Sequence, residues 1–514
     1  MRRLAILSLA VAAAALSGLS GSARSSHATA HRRGATPPNV VVILTDDQRW
    51  DSLWAMPTVQ SELVDHGVTF QNMFVANPNC CPSRASILTG QYSHSTGVYS
   101  DNPPNGGFEV FKDGSTIATW LHGAGYRTAM IGKYLNGYVD TDAQYIPPGW
   151  DRWVAFTFPH RGLGDYYNYH VSIDGQLADY GSDPADYSTD VLGSFAEDFI
   201  RSTGPGRPLF LYYAPKAPHL PATPGPQYLK AFPGLPRYRP PSYNERDVSD
   251  KPAYVQAWPR LSASDKAAID KIRKDQYRTL LSVDDAVAGI LKALSDTGRL
   301  ANTMIVFASD NGFLWGEHRW ASKYVPYEES IRVPLVIRYD PVTNVPRADG
   351  HLVLNIDLAP TFADLAGVSA PGADGASLMP LLPGAGSSWR TIALFEHSPG
   401  GTDTIPSYCA VRDSRYLYVE YGTSERELYD LKKDAYQLKN VVADPSYTTT
   451  VKRLKGKLHK LCQPPPPIEA GTLRQWTVAT ELCAQTDDLT VTTCPGAPEP
   501  RRTALSTQTG RGEI

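Results

Sequence analysis

Four short apolar runs are each followed at once by groups that can do chemistry. Val40-Val41-Val42-Ile43-Leu44 leads to Asp46 and Asp47, and Thr128-Ala129-Met130-Ile131 leads to Lys133. Leu209-Phe210-Leu211-Tyr212-Tyr213 leads to Lys216 and His219, and Met304-Ile305-Val306-Phe307-Ala308 to Asp310 and Asn311. Asp46, Asp47, Asp310 and Asn311 form an all-oxygen set, which selects a hard cation, Ca²⁺ or Mg²⁺, over zinc. Adjacent acids after a strand can equally be helix caps. A separate segment, Asn79-Cys80-Cys81-Pro82-Ser83-Arg84-Ala85, sets two neighbouring thiols before an arginine. Direct neighbours rarely bond to each other because the linkage is strained, so this pair needs another explanation.

The elements that position these groups follow from the same runs. A continuous apolar run reads as a strand buried on both faces. A helix near 115–122, ending at Gly123, precedes the second run. A long helix precedes the fourth, with Leu280, Val283, Val287, Ile290, Leu291 and Leu294 at helical spacing. Strand–helix–strand alternation predicts an α/β domain with a largely parallel sheet. In such sheets, sites form at the carboxyl ends of strands, so the polar groups are expected to converge on one edge. Residues 370–388 are rich in Pro, Gly, Ala and Ser and read as a connection. Short strands at 392–395 and 416–419 and a helix near 447–461 then predict a smaller α+β domain. Pro464 to Pro467 break the chain before a tail that carries Cys483 and Cys494. No internal repeat is present.

The chain has 514 residues, room for two or three domains with a sizeable core. Hydrophobic residues at 42% and charged residues at 20% argue against wholesale disorder. Lys+Arg 49 against Asp+Glu 52 leaves a net charge of -3, so no basic excess steers the protein to nucleic acid or an anionic membrane. Arg2 and Arg3, the apolar stretch from Leu4 to Leu16 and the small residues after it read as a secretory signal over 1–30. The stretch is shorter than the roughly 18 residues of a membrane span; a retained anchor is the alternative. Secretion puts the cysteines in an oxidising compartment, where they tend to pair. Four of the six, Cys409, Cys462, Cys483 and Cys494, lie late, and two bridges there could pin the tail; the pairing is open.

Cys80-Cys81-Pro82-Ser83-Arg84, followed by Leu88-Thr89-Gly90, resembles the core motif of the sulfatase family. The resemblance extends to Thr45-Asp46-Asp47, Gly132-Lys133, Ala217-Pro218-His219, Ser309-Asp310-Asn311-Gly312, Gly316-Glu317-His318 and Glu427-Leu428-Tyr429-Asp430-Leu431. It implies an alkaline-phosphatase-like large domain over 31–388, a small C-terminal domain over 389–470 and a cysteine-containing tail over 471–514. It implies that a formylglycine-generating enzyme converts Cys80 to formylglycine, whose hydrate attacks the sulfur of a sulfate ester. Calcium, with magnesium as the alternative, would be held by Asp46, Asp47, Asp310, Asn311 and the group at position 80. Arg84 would stabilise the nucleophilic hydroxyl, Lys133 and Lys323 would meet sulfate oxygens, and His219 would donate a proton to the leaving oxygen or bind sulfate. Cys81 reads as packing or a disulfide partner of the tail. Ser83 and Arg84 are expected just before a helix starting near Ala85, with Ser83 a candidate cap. His318 would orient the Asp310-Asn311 loop or reach the sulfate, and His94 reads as structural or pocket wall.

One departure bears on mechanism. Many sulfatases have a histidine two residues after the lysine at 133, and this chain has Leu135. Gly132-Lys133-Tyr134-Leu135-Asn136, Gly149-Trp150-Asp151 and Tyr166-Tyr167-Asn168-Tyr169 resemble the N-acetylglucosamine-6-sulfatase-like subgroup. That tilts the expected substrate from an aryl sulfate toward a sulfated glycan and leaves the second hydroxyl's base to another group. The competing readings are a phosphodiesterase or phosphonate monoester hydrolase of the same superfamily and an inactive glycan-binding homologue. Asn311 after Asp310, where a histidine would suit phosphate, argues for sulfate. The intact Cys80 to Arg84 segment argues against inactivity.

Overall fold

The computed structural model describes residues 37–138, 144–157, 166–343, 345–384, 386, 388–400 and 405–468. The expected signal segment and the tail with Cys483 and Cys494 lie outside the described residues. Ten strands build the larger sheet: β1 (Asn39–Thr45), β2 (Val68–Phe74), β3 (Arg127–Gly132), β4 (Arg152–Thr157), β5 (Tyr169–Ile173), β6 (Gln176–Tyr180), β7 (Leu209–Ala214), β8 (Thr303–Ser309), β9 (Leu335–Arg338) and β10 (Arg347–Leu354). Their order is β10-β2-β9-β8-β1-β7-β3-β4-β5-β6. β8, β1, β7, β3 and β4 run parallel without a break. The four strands expected from the apolar runs are β1, β3, β7 and β8, and they are neighbours in this block. Every residue of β1, β7 and β8 is buried, which is why their sequences are continuously apolar rather than alternating.

Helices cover both faces: α1 (Cys80–Thr89), α2 (Ile117–Gly123), α3 (Ser188–Ser202), α4 (Ala263–Asp296) and α5 (Leu358–Ala366); a later helix, α6 (Thr448–Leu461), belongs to the smaller sheet. Alternate strand residues serve alternate layers. Val41, Ile43, Leu211, Tyr213, Ile305 and Phe307 pack in the layer of Leu280, Val283 and Ile290 from α4. Val40, Val42, Leu44, Phe210, Met304 and Val306 pack against Cys81, Ala85 and Leu88 of α1 and Phe362 of α5. α4 is longer than its apolar stripe. A reciprocal cap between Ser262 and Asp265 starts it well before Leu280.

The smaller sheet is antiparallel, β11 (Ala393–His397), β12 (Tyr408–Arg412), β13 (Tyr416–Tyr421) and β14 (Arg426–Asp430) in that order. α6 packs Leu454 and Leu458 onto Leu394, Val411, Tyr418 and Leu428. A disulfide ties Cys409 of β12 to Cys462, just past α6. Among the described residues Cys80 and Cys81 are free, buried thiols. No helix of the described residues is long and apolar enough to cross a membrane.

Gly132 closes β3 and turns the chain toward Lys133. Its φ is 120°, and a Cβ there would stand 2.0 Å from the Ala214 carbonyl oxygen on β7. Any side chain would have to push two central parallel strands apart. Gly132→Ala is therefore expected to lose about 3 kcal/mol or more of stability, read as a lower midpoint in urea unfolding. A midpoint within error of the wild type would show that the strands can part here.

Candidate active site

Register brings the oxygen ligands together. β1 and β8 pair in parallel with Thr45 opposite Ser309, so Asp46-Asp47 and Asp310-Asn311 leave the sheet side by side. The Asp310 N–H donates to the Thr45 carbonyl at 3.1 Å, and the Asp47 N–H donates to Asp310 Oδ1 at 3.2 Å. Asp47 has a φ of 68°, a left-handed turn that aspartate tolerates better than most residues. All four side chains are buried, with Asp46, Asp310 and Asn311 at 0% exposure.

α1 delivers the sulfur. The helix begins at Cys80, not near Ala85, and its cap is Asn79, whose side chain accepts from the Cys80 N–H at 2.8 Å. Ser83 therefore lies inside the helix, where its hydroxyl accepts from Asn355 Nδ2 at 2.9 Å, and is not the cap. Pro82 is tolerated because first-turn amides have no intrahelical acceptor to lose. Every residue of α1 is buried, so no amphipathic stripe marked its start. Cys80 Sγ lies 3.5 Å from Asp46 Oδ1 and 2.6 Å from Lys323 Nζ. Cys81, one residue on, turns into the packing between α1 and the sheet.

Cations surround the acids. Arg84, one turn after Cys80, donates from Nε to Asp310 Oδ2 at 2.8 Å and from a terminal nitrogen to the Lys133 carbonyl at 2.7 Å. Its other terminal nitrogen is 3.5 Å from Asp46 Oδ2. Lys133 Nζ is 2.5 Å from Asp46 Oδ2, and Lys323 Nζ is 2.6 Å from Asp47 Oδ1. Asn311 Nδ2 also donates to Asp47 Oδ1, at 2.6 Å. His219 Nδ1 lies 2.6 Å from the Leu220 carbonyl, which requires its proton there, and Nε2 stands 3.7 Å from Asp47 Oδ2. Tyr166 fixes this turn by donating from its hydroxyl to the His219 carbonyl at 2.7 Å. All nine residues expected at the site thus meet at one edge of the sheet.

Charge sets the protonation states. Burial pushes the Asp46 carboxyl up, but the cations around it, Lys133 first and then Arg84 and Lys323, hold it well below the usual carboxylate range. Burial raises Asp47 and brings Asp310 to about 6, with Asp46 adding to both and Lys323 or Arg84 resisting. Burial opposes charge on Lys133 and Lys323, yet Asp46 and Asp47 respectively raise both. Burial, then Asp46, pushes the Cys80 thiol well up, so the pocket does not favour its thiolate. Burial holds His219 well below its ordinary value; Asp46 pulls it up, and Lys216, Lys133 and Lys323 push it down. Its ring is neutral, and Nε2 faces the pocket as an acceptor.

The cluster can hold a metal ion. Asp47 Oδ2 and Asn311 Oδ1 are buried without a hydrogen-bond donor. Asp46, Asp47, Cys80 and His219 each bring a ligand atom within 4.8 Å of the others. Among the remaining expectations, Leu135 is core, and His94 bonds through Nδ1 to Glu396 Oε1 at 2.8 Å. His318 is tied through Nδ1 to Glu245 Oε2 at 2.6 Å. Lys216, placed at this strand end by its spacing but matched by no motif, is buried beside His219 and depresses its protonation. Asp101 and Tyr324 also reach this region from irregular segments, without a motif to announce them.

Comparison with known proteins agrees with this geometry. The family model described as Sulfatase matches residues 38–368, and that of the N-sulphoglucosamine sulphohydrolase C-terminal region matches 316–464. Human N-acetylglucosamine-6-sulfatase is 34% identical over 454 residues, 79% of this chain and 81% of that protein. The Volvox carteri arylsulfatase is 31% identical over 488 residues, 82% of this chain and 74% of that one. A structure solved in complex with its substrate D-glucosamine-2-N,6-O-disulfate superposes with a TM-score of 0.73 at 25% identity, covering 82% of this chain and 97% of that one. The Agrobacterium radiobacter phosphonate monoester hydrolase, at TM-score 0.65 and 21% identity over 82% and 95% of the two chains, shares the fold. A family match across most of the described residues, a relative of similar length and a cysteine seated among the acids of two neighbouring strands lead to one conclusion: this chain belongs to the sulfatase family and is a sulfuric ester hydrolase.

Proposed function

We propose that this chain is an exported sulfatase acting on sulfated glycans, with formylglycine made from Cys80 and Ca²⁺ bound by Asp46, Asp47, Asp310 and Asn311. The carrying observation is the 3.5 Å approach of Cys80 Sγ to Asp46 Oδ1, within a cluster whose Asp47 Oδ2 and Asn311 Oδ1 lack donors. The glycan reading draws on the N-acetylglucosamine-6-sulfatase relative and the glucosamine disulfate complex. Export draws on the signal-like residues 1–30 and on the Cys409–Cys462 bridge.

Bound here, the cation supplies Lewis acidity to a sulfate oxygen and a template for the ester. The side chains do the rest. Lys133 and Lys323 hold the anionic head by two ammonium groups that the acids keep charged. Arg84 fixes Asp310 and Asp46 in place. His219 Nε2 takes the proton released when the group at position 80 attacks, and returns it to the departing alcohol oxygen. Its Nδ1–H bond to Leu220 holds the tautomer that makes Nε2 the acceptor. Leu135 takes no part, being buried in the core.

Peptide mass spectrometry on protein from the native host is expected to find the Cys80 peptide about 18 Da light, the change from thiol to aldehyde. A wholly unmodified peptide would favour a binding protein over an enzyme. Cys80→Ala is expected to lose turnover by about a thousandfold or more while keeping the wild-type unfolding midpoint; near-normal turnover would refute the nucleophile assignment. Asp310→Ala is expected to weaken Ca²⁺ binding by about tenfold or more, read by titration calorimetry, and to lower activity in parallel. Unchanged calcium affinity would take Asp310 out of the ligand set. Aryl sulfate is expected to be cleaved faster than an aryl phosphate diester; the reverse order would favour the diesterase reading.

A further inference from the structure

Two side chains flank Cys80 that the sulfate chemistry does not use. Asp101 Oδ1 accepts from the Cys81 N–H at 3.0 Å. That amide is joined to Cys80, so covalent geometry keeps the carboxylate within about 7 Å of the Cys80 Cβ. Asp101 is only partly buried, whereas Cys80, Lys133 and Lys323 are at 2%, 2% and 1% exposure. It is the least enclosed of these groups. Burial raises its carboxyl, and Lys323, the Cys81 N–H and Lys133 pull it back.

Tyr324 rims the other part of the same ammonium. Its ring centroid lies 5.9 Å from Lys323 Nζ, itself 2.6 Å from Cys80 Sγ. The ring is partly exposed. Its φ of 76° is a conformation that a bulky residue adopts only when its surroundings impose it. They do: the Tyr324 N–H donates to the Pro78 carbonyl at 3.2 Å, and the Tyr408 hydroxyl donates to the Tyr324 carbonyl at 2.8 Å. Pro78 leads into α1, and Tyr408 belongs to β12 of the small sheet. The approach to α1 and the small sheet thus both hold the Tyr324 backbone, with its ring beside Lys323.

A carboxylate and a flat apolar face around a buried sulfate subsite are complementary to a ring that carries hydroxyls on its edge and C–H groups on its face. We propose that Asp101 and Tyr324 are the specificity-determining pair of this site. Asp101 accepts hydrogen bonds from hydroxyls of a saturated sugar ring, and Tyr324 packs on that ring's face. An unsubstituted aryl sulfate brings no donor and leaves Asp101 desolvated and unpaired, which is how such sites discriminate. This rests on the sulfatase reading above and adds its selection of substrate.

The test compares N-acetylglucosamine 6-sulfate with 4-nitrophenyl sulfate in wild type, Asp101→Asn and Tyr324→Gly. Asparagine still accepts from the Cys81 N–H, and glycine suits the left-handed φ, so both variants keep the local backbone. Each is expected to lose about 10- to 100-fold in kcat/KM for the sugar sulfate, mostly through KM, and at least tenfold less for the aryl sulfate. Equal losses on both esters would overturn the proposal. So would a wild type that cleaves the aryl ester and neither binds nor cleaves the sugar ester. Wild type carrying formylglycine but hydrolysing neither ester would sink the sulfatase reading instead. Calorimetry in the Cys80→Ala background then decides the pair without turnover: an affinity for the sugar sulfate weakened about tenfold by Asp101→Asn supports it, and unchanged affinity overturns it.

Discussion

Three buried carboxylates set against three buried cations are the constraint from which the rest of this site follows. Asp46, Asp47 and Asp310 would each be very costly to bury alone, as would Arg84, Lys133 and Lys323. Interleaved, each acid has a cation within 3.5 Å. The arrangement is not a source of stability, since paired buried charges roughly repay their own desolvation. Its effect is on tolerance. Removing one partner strands another and costs about 3–5 kcal/mol, so each member is held in place by the rest. Arg84 is the member with most reach, because one planar group joins α1 to the strand ends of β8, β1 and β3.

Pairing alone leaves the cluster short of donors. Asp47 Oδ2 and Asn311 Oδ1 remain buried and unsatisfied, while Asp47 Oδ1 takes hydrogen bonds from both Asn311 and Lys323. One carboxylate oxygen is over-supplied while its twin is left without a donor, which leaves room for a further positive charge beside Asp47. The lysines bond the same acids, Lys133 on Asp46 and Lys323 on Asp47, and Lys323 also reaches the sulfur of Cys80.

Much of this was legible in the chain because the relevant signals are short-range. Strands buried on both faces announce themselves as unbroken apolar runs, and a charged residue directly after one has little choice but the sheet edge. Other parts were not. The start of α1 was missed because a helix buried on every side has no polar face to give it a period. The hairpin of β5 and β6 had a readable turn, Asp174-Gly175 with φ values of 50° and 84°, but its strands lack a clean alternation. Asp101 acts on an amide 20 residues earlier in sequence, and Tyr324 looks like any aromatic until its backbone conformation is known. Spacing rules reach partners on one element; they are blind to a loop folded back over a helix end.

The two adjacent thiols show what helix geometry adds to sequence. Successive residues on a helix point about 100° apart. Cys80 therefore faces Lys323 and Asp46, while Cys81 faces inward to Ala85 and Leu88 and meets the backbone of Gly107 and Asn136. In the folded protein neither is open to a reagent: Cys80 is 2% exposed and Cys81 0%. An enzyme that oxidises Cys80 has to reach it before α1 docks, when the two thiols differ only in their neighbours along the chain. Pro82 and Arg84 sit two and four residues after Cys80, one within the first turn and the other anchoring the acids.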